Sequence, residues 1–176
     1  MKIEFVNAEY QSDRLGKSIF SIMETTKLWS MATADPKGES HINTAFFCYN
    51  NILELYFLSD ISTKHCQNLE KNPEAAVAIY STDQEPGSCK LRGLQLFGQC
   101  SLTKGKENAK ASLCYAKRFF SFKKFLKTAG RKDIKEFTSI YKLYVFRPKE
   151  IKVFDEPEFG EETFVSVQVI RDLKVG

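Results

Sequence analysis

The segment Leu58-Ser59-Asp60-Ile61-Ser62-Thr63-Lys64-His65 brings hydroxyls, a carboxylate, an ammonium and an imidazole into eight positions. Before it, Asn51 to Phe57 reads as an apolar strand. After it, Cys66 to Asn72 reads as a short helix with an apolar stripe, stopped by Pro73. The junction therefore sits at a helix N-terminus, where unpaired backbone N–H groups and the helix dipole favour an anion. A phosphate there can accept bonds from Ser62 and Thr63 while Lys64 adds a point charge. The same residue types also serve a plainer purpose, since Ser and Asp before a helix act as N-caps.

Other chemistry-bearing residues are sparse. Five cysteines (Cys48, Cys66, Cys89, Cys100, Cys114) are odd in number, widely spaced and without a C-x-x-C pair. That argues against a disulfide framework and against a zinc site, so they read as reduced packing residues. His41 and His65 can donate protons or face a ligand, although a single histidine in a strand or helix usually packs and makes one hydrogen bond. Arg92, within a strand, needs an anionic partner if buried: a cofactor phosphate, or a carboxylate such as Glu54 or Glu74. Trp29 reads as core, with stacking on a planar ligand as the alternative. Tyr115 and Arg118 share a helix face. Gly93 and Gly98 have P-loop spacing, but Gln99 stands where Lys is required, and no G-x-G-x-x-G occurs. Eight basic residues lie between Lys117 and Lys135, with Phe119, Phe120, Phe122 and Phe125 among them. Their spacing suits a solvated, packed helix rather than nucleic-acid stacking.

The elements that must position these residues follow from periodicity. A helix is expected over Ser12 to Thr26, capped by Ser12 or Asp13. Strands are expected over Leu28–Ala34, Glu39–Tyr49, Asn51–Phe57, Glu74–Ser81 and Cys89–Thr103. Asp35-Pro36-Lys37-Gly38 marks the first turn and Asn50-Asn51 the second. Lys104 to Ala129 reads as helix, broken near Phe120–Ser121. Ile140–Phe146, Glu150–Asp155 and Thr163–Arg171 supply further strands, separated by Pro148 and by the run from Glu156 to Gly160. Six to eight strands in short-looped succession predict a mainly β protein: an antiparallel barrel with peripheral helices. At 176 residues, 43% hydrophobic and 27% charged, with a net charge of +4, one soluble globular domain over 1–176 is expected. The longest apolar stretch is Ala75–Tyr80, and the first residues have no secretory h-region, so a cytoplasmic protein without membrane spans is expected.

The order of these segments resembles the split barrels that bind flavin mononucleotide (FMN) and are related to pyridoxamine 5′-phosphate oxidase. The resemblance rests on the D-P-K-G turn, S-T-K at a helix start, E-K-N-P-E-A-A-V-A and R-G-L-Q-L-F-G, from about Leu28 to Thr103. It extends to about Phe146 in a functionally uncharacterised subfamily. It implies that the flavin phosphate sits near Ser62, Thr63 and Lys64, with Thr63 where the family often has Arg. It implies that the strand holding His41, Asn43 and Thr44 runs under the isoalloxazine ring, and that Ser59 lies near the ribityl chain. Gln95 stands two residues beyond the position where the oxidase places a flavin-contacting Gln after its Arg, here Arg92. Gly93 holds that position here, and period-two geometry keeps Gln95 on the face of Gly93.

The oxidase's C-terminal Trp and R-x-H-x-R cluster have no counterpart between Ile151 and Gly176, which argues against vitamin B6 oxidation. The resemblance thus implies a homodimeric FMN flavoprotein, an oxidoreductase with the cofactor at the subunit interface, acting on an unknown small substrate with a nicotinamide donor. Three readings compete: a flavin-binding or redox-sensing module without turnover, a split barrel holding haem or a deazaflavin, and a nucleic-acid binder. Haem would need His41 or His65 as its axial ligand.

Overall fold

The computed structural model describes residues 2–171, and the expected span of 1–176 reaches beyond them. Strand β1 (Ile3–Val6) precedes helix α1 (Ser12–Thr25), and β2 (Leu28–Ala34), β3 (Ser40–Tyr49) and β4 (Leu55–Asp60) follow. Helix α2 (Lys64–Lys71) leads to β5 (Glu74–Tyr80) and β6 (Arg92–Leu102). Then come α3 (Gly105–Arg118), α4 (Phe120–Thr128), α5 (Arg131–Ile140), β7 (Tyr141–Asp155), α6 (Glu156–Phe159) and β8 (Phe164–Arg171).

All strand pairs are antiparallel, in the order β1-β8-β7-β4-β3-β2-β5-β6, and a β6–β7 pairing closes six of them into a barrel. Strands β8 and β1 extend the sheet outside it. The strand succession predicts the antiparallel barrel, and the family resemblance implies its split-barrel form; the fold has both.

Alternation fills the barrel. Trp29 and Met31 of β2, Phe47 of β3, Leu55 and Phe57 of β4, and Leu94 and Leu96 of β6 point inward and are buried. Trp29 stacks on Phe47 at 5.4 Å and meets the edges of Phe57 and Phe146, so it belongs to the core. Leu15, Ile19, Ile22 and Met23 put one face of α1 over one end of the barrel. A second, smaller core of Cys48, Tyr56, Ala111, Tyr115, Leu143 and Val145 lies between the outer side of the barrel and α3.

Several boundaries differ from the expectation, each for a local reason. Asn51 to Glu54 form a turn rather than strand, because Asn50 Oδ1 accepts the N–H groups of Ile52 and Glu54 while Leu53 adopts φ 57°. Neither Ser12 nor Asp13 caps α1: Gln11 is the N-cap, and the Ser12 hydroxyl accepts the N–H of Phe5. The helix starting at Arg131 is additional; Gly130 and Asp133 form its cap. Strands Ile140–Phe146 and Glu150–Asp155 are one 15-residue strand, with Pro148 opposite Gly98 at a bulge instead of a break.

Strand β7 consequently serves three neighbours. Its first half pairs with β4, its second half pairs with β8 along the same edge, and β6 lies along the other edge.

Candidate functional site

Strand β4 ends at Asp60, where a tight loop turns the chain into α2. Asp60 Oδ1 accepts both the N–H and the hydroxyl of Ser62, at 2.8 and 2.7 Å. The Ser62 N–H, and next its hydroxyl, hold the Asp60 carboxyl below the usual range. The Thr63 hydroxyl donates to the Asp60 carbonyl at 2.7 Å. Both hydroxyls expected to meet a phosphate are therefore spent inside the loop. What remains at the first turn of α2 is its backbone N–H groups and the Lys64 ammonium. That ammonium, on a side chain 45% exposed, makes a long 3.7 Å ion pair with Asp35. Asp35 itself is held below the usual carboxylate range, first by the Glu39 N–H, with the Lys37 N–H and Lys64 adding to it.

Behind this loop lies a buried polar cluster. Strand alternation turns Thr33 of β2 and His41 and Asn43 of β3 to the inner face, and Ser59 of β4 joins them. His65, on the first turn of α2, bonds through Nε2 to the Ser59 hydroxyl at 2.7 Å and lies 3.2 Å from the Thr63 hydroxyl. Its ring stacks on His41 at 6.1 Å. Burial, and then the charge of His41, pushes the His65 imidazole down, so it stays neutral. Asn68 donates to the Thr33 hydroxyl at 3.2 Å, whereas the Asn43 side-chain oxygen is buried without a partner.

Thr44 and Gln95 lie elsewhere, on the outer face of the barrel. The pairing registers align Thr44, Ser30, Ala78, Gln95 and Lys152 in one row across five strands. Beside it run Ile42, Ala32, Ala76 and Phe97. The small residues leave two shallow clefts, of about 260 and 320 Å³, which share Ala78 and Gln95 in their linings. Ile42, Phe46, Leu28, Tyr80 and Phe164 stand exposed around them. The sequence reading named Thr44 and Gln95 but passed over Ser30, Ala32, Ala76 and Ala78. Their signal was present: small side chains at alternate positions of two strands that pair in register.

Arg92 joins neither group. It binds Asp155 through two 2.9 Å hydrogen bonds at the end of the barrel covered by α1, and Ser18 donates to the same carboxylate at 2.5 Å. Glu54 and Glu74, its expected carboxylate partners, pair instead with Arg147 and Lys149. Strand β2, seven residues or about 20 Å long, separates the Arg92 end from the α2 end. Arg118, on the α3 face it shares with Tyr115, donates to the carbonyls of Met23 and Thr26 and lies over the Phe47 and Tyr49 rings.

A closed antiparallel barrel of this order, with a cationic helix start beside a barrel strand, defines a split-barrel protein. Residues 15–140 match the family model described as pyridoxamine 5′-phosphate oxidase, and the chain belongs to that family. No curated protein matches it. Among solved structures, the chain is similar to a haem-binding protein from Mycobacterium smegmatis, with a TM-score of 0.66 and 16% identity. That alignment covers 87% of this chain and 57% of the mycobacterial one, so this chain spans little more than half of that relative's length. HutZ, the haem storage protein of Vibrio cholerae, matches with a TM-score of 0.62 and 19% identity, over 84% of this chain and 97% of its own. A Clostridium acetobutylicum protein of the pyridoxinephosphate oxidase family, related to general stress protein 26, matches at 0.61 and 12%, over 89% and 95%. At these identities the likeness concerns the fold. Among the described residues no helix is long and apolar enough to cross a membrane.

Proposed function

We propose that this protein is an FMN-binding oxidoreductase that holds its cofactor between two copies of the chain. The observation that carries this reading is the half-exposed Lys64 ammonium at the first turn of α2, loosely paired and set beside free helix N–H groups. A dianionic phosphate fits that arrangement better than a neutral ligand does. The carboxylates of Asp35 and Asp60 oppose it, and their hydrogen bonds to neighbouring N–H groups offset part of their charge. On the outer face, Ala32, Ala76 and Ala78 carry only methyl groups and floor a cleft walled by Ile42, Phe97 and Gln95, which gives a planar ring a place to lie. Gln95 and Thr44 would orient it through hydrogen bonds. The exposed apolar residues around this trough support a second copy as its cover.

When bound, the flavin supplies the hydride chemistry, and the chain supplies binding, orientation and exclusion of water. Lys64 holds the phosphate, the Thr44–Gln95 row sets the ring, and the apolar rim keeps the site dry. This division of labour accounts for a site without an obvious nucleophile or general base. The substrate class that follows is a small molecule reduced at the expense of a nicotinamide donor. Flavin retention without such turnover would instead mark a binding or redox-sensing module.

The test is an absorption spectrum after loading with FMN and desalting. The two flavin bands should persist, and Lys64→Ala should weaken binding by roughly ten- to a hundredfold, the worth of about 1.5–3 kcal/mol for a hydrogen bond to a charged group. Gln95→Ala should move the band positions more than the affinity. A protein that retains no flavin overturns the reading. A Soret band would favour haem on the same barrel, and His41 would then be the ligand to test, since His65 Nε2 is already bonded to Ser59.

A further inference from the structure

The helices inserted between β6 and β7 frame a cleft that the flavin site does not use. Its floor is the outer side of the barrel, where Leu58 of β4 pairs with Leu143 of β7 and Leu102 ends β6 beside them. Phe122, Phe125 and Leu126 of α4, with Ile134 and Phe137 of α5, wall a space of about 260 Å³. Phe137 is the hub of the aromatic wall. Its ring lies 4.8 Å from Phe125 and 6.2 Å from Phe122, and it stacks on Tyr141 at 5.1 Å. The cleft shares no lining residue with the two clefts of the trough.

Two features set it apart from a packing defect. Neither α4 nor α5 has a fully buried side chain, although each turns aromatic and aliphatic residues toward the barrel. The two helices thus lean on a space that is only partly filled, and their apolar faces forgo dispersion contacts that an occupant would return. The polar lining is also of one sign. Among the described residues that line the cleft, Lys142 is the only charged one. Its ammonium donates to the Thr138 carbonyl, which fixes it there and leaves N–H groups to spare, and it has no carboxylate partner among the described ion pairs. The hydroxyls of Thr103, Ser112 and Thr138 are spent on the carbonyls of Leu143, Asn108 and Ile134. Around the cleft, α4 and α5 carry six lysines and arginines against two acids, so the local field draws anions.

We propose that this cleft binds a small aromatic carboxylate, with its ring against Phe125 and Phe137 and its carboxylate on the Lys142 ammonium.

The ligand class follows from the lining. Clustered rings favour a flat apolar body over a flexible chain. A single ammonium, already sharing one N–H with a carbonyl, matches one negative charge better than a dianionic phosphate. The volume lies just below the range of drug-sized pockets, which limits the ligand to about two fused rings.

Equilibrium dialysis of 2-naphthoate against the full chain, followed by the fluorescence of the probe, is the test. Saturation at one molecule per chain is expected. Lys142→Met should weaken 2-naphthoate roughly tenfold, the worth of a hydrogen bond to a charged group, while leaving the neutral 2-naphthamide unaffected. Leu126→Trp and Thr138→Trp fill the cleft from exposed positions that the fold does not depend on, and each should abolish binding of both probes. Saturating FMN should change nothing, which separates this cleft from the flavin site. The proposal is overturned if 2-naphthoate does not bind, if it binds both tryptophan variants or Lys142→Met as it binds the native chain, or if FMN displaces it. It is equally overturned if Leu126→Trp converts a dimer into a monomer in sedimentation, because a second copy would then be the occupant.

Discussion

Arg92 and Asp155 illustrate how a buried charge dictates its own company. The Asp155 carboxylate is 1% exposed, and its oxygens are taken by two guanidinium nitrogens and the Ser18 hydroxyl. Removing the cation strands it, so Arg92→Met should cost roughly 3 kcal/mol, the low end for breaking a buried pair because Arg92 is itself a third exposed. Urea unfolding would read this, and Arg92→Met combined with Asp155→Leu should recover much of the loss. His65 makes a second prediction. Its imidazole titrates lower in the fold than its unfolded value of 6.5, chiefly through burial, so the unfolded chain binds the proton more readily. Stability from this residue is therefore complete above pH 6.5 and is lost as pH falls below it. Asp35 and Asp60, both depressed, keep their contribution until the pH drops below the carboxylate range. Melting midpoints should thus decline between pH 7 and 5 in the native chain and flatten in His65→Gln.

Among the elements, strands were legible wherever apolar alternation ran unbroken; β2 was read to the residue. Reading failed where tertiary contacts overrode local signals. Pro148 looks like a terminator in isolation, yet β7 runs through it because the bulge opposite Gly98 absorbs the missing N–H. Gly98 itself is demanded by that contact. A Cβ there would lie 2.1 Å from the Arg147 carbonyl oxygen and 2.7 Å from the Pro148 Cα, both backbone atoms. Gly98→Ala should consequently lower the melting midpoint sharply or abolish the soluble fold, whereas Gly93→Ala, with its nearest atom at 3.4 Å, should be mild. The candidate site was legible as chemistry but not as geometry. Lys64 and the start of α2 could be read from the chain. That Asp60 would consume the Ser62 hydroxyl, or that Thr44 and Gln95 would share a row, depends on loop closure and strand register.

At the scale of the whole molecule, the barrel presents one outer face that is conspicuously apolar. Ile42 is 67% exposed there, with Phe46, Leu28 and Tyr80 nearby. If a second copy covers this face, Ile42→Glu should convert a dimer into a monomer in sedimentation and release bound FMN at the same time. A wild-type chain that sediments as a monomer would count against both the dimer and a shared cofactor site.

The central position of β7 also has a consequence for how the chain is made. Residues 141–155 leave the ribosome after every one of β2 to β6, yet they supply the edge partner for β4 and for β6. Until they emerge, the nascent sheet from β4 to β6 has two unmatched rims and an open, apolar lining. Translation that stalls after α5 would leave an adhesive half-barrel rather than a smaller working one, and truncation before Tyr141 should yield a substrate for chaperones and proteases.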